Sequence, residues 1–159
     1  MQAKLNLKFN LFFIIGICLS VAQLNEQLCF ALYSASNHVN SIYRPLLEPI
    51  GLTYTQFIVL MALWEQDNIS ISHLAKKTKL SKATMTPLLR RLEDKKLIER
   101  QILKGNERQK NVALTEEGRV LSEKSQHITE QAFCMTKLTK EQAETVIEIC
   151  YQLVNQDKD

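Results

Sequence analysis

Leu80-Ser81-Lys82-Ala83-Thr84-Met85-Thr86-Pro87-Leu88-Leu89-Arg90-Arg91-Leu92-Glu93 is the stretch whose reading decides the fold. Ser81 is a helix N-cap residue, since its side-chain oxygen can accept from a first-turn amide that has no partner within the helix. The helix it opens is expected to run from Lys82 to Lys95, with polar residues early and Leu88, Leu89 and Leu92 later. Just upstream, Ser70 caps a shorter helix that carries Leu74 and Ala75 and ends near Lys79. Two short helices joined by a turn of a few residues form a helix-turn-helix. Just downstream, Leu97 to Leu103 and Gln109 to Leu114 read as extended stretches around Lys104-Gly105-Asn106-Glu107, a β-hairpin or wing.

Charge follows the same segment. The 159-residue chain has a net charge of +3, but Lys76 to Lys110 holds twelve Lys/Arg against four Asp/Glu, so everything outside that segment is acidic. A basic segment inside an acidic chain is the footprint of a polyanion surface. Lys82, Thr84, Met85 and Thr86, with the capping Ser81, occupy the helix end that would enter a major groove. Lys donates to guanine acceptors, and a threonine hydroxyl or methyl meets base edges or a thymine methyl. Arg90 and Arg91 fall farther along, where phosphate contact is expected, and Lys104 and Arg108 flank the wing tip, where an Arg suits a narrow minor groove. Pro87 removes a backbone donor in the second turn of this helix, and the sequence gives no account of how the helix absorbs it. The expected partner is double-stranded DNA.

Outward from this centre the pattern is helical. Apolar residues at 24, 28, 32, 35, 39, 42 and 46 step by three and four, which predicts one long helix over Leu24 to Leu47, closed by Pro45, Pro49 and Gly51. Thr53-x-x-Gln56 is a capping box. It opens a helix through Trp64 whose buried side would be Phe57, Leu60, Met61 and Trp64. Asp67-Asn68 is a turn and Ile69 a short strand. Thr115 caps a long helix to about Lys137, and Thr139-x-x-Gln142 caps the last one, with Val146, Ile147, Ile149, Cys150, Leu153 and Val154 apolar. The fold class is therefore mainly α with a small β-wing: a single domain in which a winged helix-turn-helix over 53–114 is framed by terminal helices over 24–52 and 115–156.

Residues 1–23 stand apart. Met1 to Lys8 is basic, Leu11 to Ala22 is apolar, and Ser20-Val21-Ala22 could pass as a cleavage site. Alone this reads as a signal peptide, because the run is shorter than the roughly 20 residues that span a bilayer. A DNA-binding segment has no substrate outside the cell. Residues 1–23 are therefore read as an N-terminal extension, either of the first helix or upstream of the true start, and the protein as cytoplasmic with no membrane partner.

From Leu24 to Val154 the chain resembles the MarR family of winged-helix repressors, on the helix quoted above and on Glu107-Arg108 through Leu114-Thr115-Glu116-Glu117-Gly118. The resemblance implies a homodimer whose first and last helices interlock, with a wing on each half-site. The family's wing carries an Asp two residues before the Arg. Here that position is Asn106, which cannot make the ion pair that would aim Arg108.

Within the family, Gln27-Leu28-Cys29-Phe30-Ala31-Leu32-Tyr33, Tyr43-Arg44-Pro45-Leu46-Leu47 and Leu52-Thr53-Tyr54 are similar to the OhrR branch of organic-hydroperoxide-sensing repressors. That resemblance implies that Cys29 is the peroxide-reactive cysteine and that Tyr43 and Tyr54 hydrogen-bond it. It makes Tyr33 a third nearby tyrosine and Cys134 the resolving cysteine of the two-cysteine members. The chemistry is coherent in its own right. The thiolate is the nucleophile, phenols donate to it without adding charge, and the product is a sulfenic acid that condenses with a nearby thiol.

The four cysteines show no zinc spacing, and Cys18 and Cys150 are assigned to packing. His38, His73 and His127 are scattered, so neither a metal nor a cofactor is expected. Two other functions compete with a redox repressor: a MarR-type sensor of a small aromatic ligand, and a thiol peroxidase. No second catalytic base or turnover motif supports an enzyme.

Overall fold

The computed structural model describes residues 23–103 and 106–155, with the side chains of 102–109 outside the description. The extension 1–22 with its Cys18, and Lys104, therefore lie outside the described residues. The chain divides into two compact units, Met1–Ser36 and Asn37–Asp159.

Helix α1 covers Leu28–Leu47. The expected start at Leu24 is corrected: Leu24–Glu26 is a 3-10 turn, and Gln27 takes extended angles (φ −86°, ψ 122°) that separate it from α1. A second 3-10 turn, Glu48–Ile50, ends on Gly51 at φ 66°, a left-handed angle that glycine adopts without penalty.

Helix α2 spans Tyr54–Glu65 behind a complete capping box, in which Gln56 N donates to Thr53 Oγ1 at 3.3 Å and Thr53 N to Gln56 Oε1 at 3.0 Å. Its buried surface is broader than the expected stripe. Phe57, Val59, Leu60, Ala62 and Leu63 are buried, while Met61 and Trp64 are only half-buried. Trp64 keeps its indole N–H at the edge, donating to the Gly118 carbonyl at 2.8 Å. An amphipathic tip of this kind is why a tryptophan stops short of full burial.

Strand β1 (Ile69–Ser70) leads into α3 (Ile71–Thr78), capped by Ser70, and then α4 (Lys82–Asp94), capped by Ser81. The wing is β2 (Ile98–Leu103) and β3 (Asn106–Leu114), so β3 starts inside the stretch read as turn. The sheet is antiparallel in the order β1-β3-β2, with Ile69 opposite Val112, Ile98 opposite Leu114, and a register shift between Ile102 and Leu103. Asp67 fastens the sheet to the chain beyond β3. Its Oδ1 accepts from Leu114 N at 2.9 Å, and its Oδ2 pairs with Arg119 at 2.9 Å.

The helix expected from Glu116 to Lys137 is broken into α5 (Glu116–Val120), a 3-10 stretch (Leu121–Lys124) and α6 (Ser125–Thr136). The break follows a tertiary contact. Gly118 is pressed so tightly on the Leu97 carbonyl that a Cβ would come within 2.0 Å of its oxygen, and Trp64 takes the carbonyl of Gly118 itself. Helix α7 (Lys140–Asn155) begins behind the predicted Thr139–Gln142 box, with both hydrogen bonds present.

Phe57, Leu60, Leu63, Leu74, Met85, Leu89, Leu92 and Val112 form the centre of one core built by α2, α3, α4 and the sheet. No described helix is by itself long and apolar enough to cross a membrane.

Candidate functional site

Helix α4 presents three faces, set by about 100° of turn per residue. Met85, Leu88, Leu89 and Leu92 form the buried one. Met85, expected at a base edge, is fully buried at 0% exposure and cannot reach one. It sits four residues past the Ser81 cap, in phase with the three leucines, and so belongs to the core. Opposite them lies an exposed strip of Ala83, Pro87 and Arg90, with Lys82 and Thr86 on one flank and Thr84 and Arg91 on the other. Pro87 is tolerated because it faces outward. The acceptor it leaves without an amide is the carbonyl of Ala83, also exposed, where water can bond it.

The start of α4 is fixed by side chains. Ser81 Oγ accepts from Thr84 N at 3.1 Å and lies 2.9 Å from Thr84 Oγ1, and Thr86 Oγ1 donates to the Lys82 carbonyl at 3.3 Å. Lys82, Arg90 and Arg91 are exposed, and among the described residues no carboxylate pairs with them. Arg100 is different: it is held by Glu93, whose carboxyl that hydrogen bond lowers below the usual range, and so it braces α4 against β2. Arg108 lies on β3 with its side chain outside the described residues, so its aim toward a minor groove stays an expectation.

The expected thiol residues divide between the two units. Cys29, a free and exposed cysteine in the first turn of α1, and the exposed Tyr33 belong to Met1–Ser36. Tyr43 and Tyr54 belong to the other unit, where they meet directly with ring centroids 4.5 Å apart and planes inclined by 32°. Phe57 backs Tyr43 at 6.1 Å and meets Trp64 edge-on at 5.7 Å. Burial raises the pKa of both tyrosines above the usual phenol range, and for Tyr43 the neighbouring Tyr54 adds to the effect. Both phenols are therefore protonated at neutral pH and available as donors.

Cys134 is exposed on α6 and lines an open groove of about 480 Å³ with Leu46, His127, Glu130, Gln131 and Met135. Cys150 is partly exposed on α7, a helix that buries none of its residues. His38, His73 and His127 are exposed, and among the described residues no cluster could hold a metal ion.

A second groove, about 320 Å³, lies between the start of α2 and α4. Its lining includes Thr53, which the sequence marks only as a helix cap, and Thr55, which it does not single out, beside Thr84 and Arg91. The strongest local pattern at Thr53 is its cap, and only folding brings it to Thr84 and Arg91, both more than thirty positions away.

Comparison with known proteins gives this arrangement its context. The model of the MarR family matches residues 52–110. The organic hydroperoxide resistance transcriptional regulator of Bacillus subtilis (strain 168) is 33% identical over 132 residues, 83% of this chain and 90% of the relative. Among solved structures, reduced AbfR of Staphylococcus epidermidis bound to DNA matches with a TM-score of 0.69 at 30% identity, covering 82% of this chain and 91% of that one. BpsR of Bordetella bronchiseptica, whose DNA binding is regulated by 6-hydroxynicotinic acid, matches with a TM-score of 0.79 at 26% identity, covering 87% of this chain and 100% of that one.

Proposed function

The chain belongs to the MarR family, as a DNA-binding transcriptional regulator and not an enzyme, and from that premise we propose that it is a redox-sensing repressor. It binds DNA as a reduced homodimer in the cytoplasm and releases it when an organic hydroperoxide oxidises Cys29. The observation that carries this reading is the presence in one chain of an exposed thiol, in the first turn of α1, and two adjoining tyrosines that remain proton donors at neutral pH. A helix start favours an anion, and neutral phenols donate to a thiolate without competing for its charge.

The chemistry balances with no cofactor. The Cys29 thiolate attacks the terminal peroxide oxygen, the O–O bond breaks, and the alkoxide leaves as an alcohol after taking a proton, giving a sulfenic acid. The Cys134 thiolate then displaces hydroxide from that sulfur, forming a disulfide and releasing water once protonated. The bond needs Cα atoms within about 7 Å of one another. We assign the resolving Cys134 to the other subunit, because the terminal helices are the ones proposed to interlock. Their exposed Val146, Ile147, Ile149, Tyr151 and Val154 favour such a partner.

DNA contact is assigned to Ser81, Lys82, Thr84, Thr86, Arg90 and Arg91, with Lys104 and Arg108 at the wing. Titrating the reduced protein with cumene hydroperoxide tests the whole reading. Stoichiometric consumption with loss of duplex binding is expected. Catalytic turnover would favour a peroxidase, and no reaction a sensor of a small aromatic ligand.

A further inference from the structure

We propose that the groove between the start of α2 and the Thr84–Arg91 flank of α4 seats a phosphate of the DNA backbone, with Thr55, Thr53, Thr84 and Arg91 as its donors. The inference rests on the DNA-binding reading above and adds α2 to the contact surface. The groove is lined by those four side chains together with Gln56, Pro87 and Leu88, and no carboxylate lines it.

The hydrogen bonding leaves protons to give. Thr53 Oγ1 accepts from Gln56 N, so its own hydroxyl proton is not used by the cap. Ser81 Oγ accepts from Thr84 N, so it can donate to Thr84 Oγ1 and release the Thr84 proton into the groove. The Arg91 guanidinium has no carboxylate partner among the described residues. Three hydroxyl donors and one cation, with no anion opposing them, select an anionic ligand.

Position on α4 says which anion. When the strip of Ala83, Pro87 and Arg90 enters a major groove, the flanks of the helix face the phosphates that border it. Thr84 and Arg91 lie on the flank that α2 adjoins, so the groove is continuous with the surface that meets DNA. Thr84 thus acts on the backbone and carries no base preference.

The test is equilibrium binding of the full-length reduced protein to a mixed-sequence duplex over a range of salt, for Arg91→Gln and Thr55→Val. Both residues are on or near the surface, and thermal midpoints like that of wild type check that the variants fold. Arg91→Gln is expected to weaken binding about tenfold and to flatten the dependence of log K on log salt by about 0.9 per protomer. Thr55→Val is expected to weaken binding about fivefold, equally on scrambled sequences, with the slope unchanged, since it removes a hydrogen bond and no charge. Wild-type affinity and slope in both variants would overturn the inference while leaving the DNA-binding reading intact. A wild-type protein that ignores duplex would overturn both. Variants that bind duplex normally but lose sensitivity to added benzoate would overturn it in favour of a small carboxylate ligand.

Discussion

The winged-helix region and the last helix are both apolar, and they treat that apolarity in opposite ways. In the former, Phe57, Leu60, Leu63, Leu74, Leu89 and Val112 are all at 0% exposure. In α7, Val146 is 49% exposed, Ile147 55% and Ile149 49%, and no residue is buried. The first region completes its own core. The second presents an apolar face that no other described residue covers, and such faces mark association surfaces. The reading region thus closes its own core, while α7 carries an exposed apolar surface on which the proposed dimer would form, and that is where a switch acting through dimer geometry would be sited.

The largest expected effect breaks the second half of that comparison. Ile147→Glu places a charge on the α7 face and should convert a dimer to monomer in sedimentation, with duplex affinity reduced more than about 100-fold, since a buried unpaired charge costs several kcal/mol. A wild-type protein that sediments as a monomer would end the contrast. Within the reading region, Leu89→Ala should lower unfolding free energy by about 2–5 kcal/mol in denaturant titration, because it opens a cavity in a closed core. Thr53→Ala, which removes the cap of α2, should cost about 1 kcal/mol in the same titration.

The smallest effect concerns pH. Glu93 has its carboxyl lowered chiefly by the hydrogen bond from Arg100. Its contribution is present above the unfolded-state pKa and disappears as pH falls through the depressed folded value. Wild type should therefore lose slightly more stability than Glu93→Gln on acidification, by about a few tenths of a kcal/mol, because the pair is partly exposed and screened by water. Denaturant midpoints measured between neutral and acid pH check it.

What could be read from the sequence was local. The Thr53 and Thr139 boxes and the Ser70, Ser81 and Thr115 caps depend on residues three positions apart, and all five form as expected. The burial of Met85 was also legible, since 85, 88, 89 and 92 share one helical face, and that phase outweighs its place near the helix start. The break after Val120 was not legible, because Trp64 and Leu97 cause it from far away in sequence. Nor was the groove at Thr55, which exists only once α2 and α4 pack. The contact of Tyr43 with Tyr54 lay between these cases: the family pattern named both residues, and the fold supplied the 4.5 Å meeting.

Peroxide-induced release of duplex by wild type and Cys29→Ser, followed side by side by fluorescence anisotropy, tests the central claim most directly. Both reduced proteins should bind with equal affinity. After one equivalent of cumene hydroperoxide the wild type should release the duplex, while Cys29→Ser, whose hydroxyl does not accept the peroxide oxygen, should stay bound. Equal release by both proteins would contradict the account, for the signal would then enter somewhere other than Cys29.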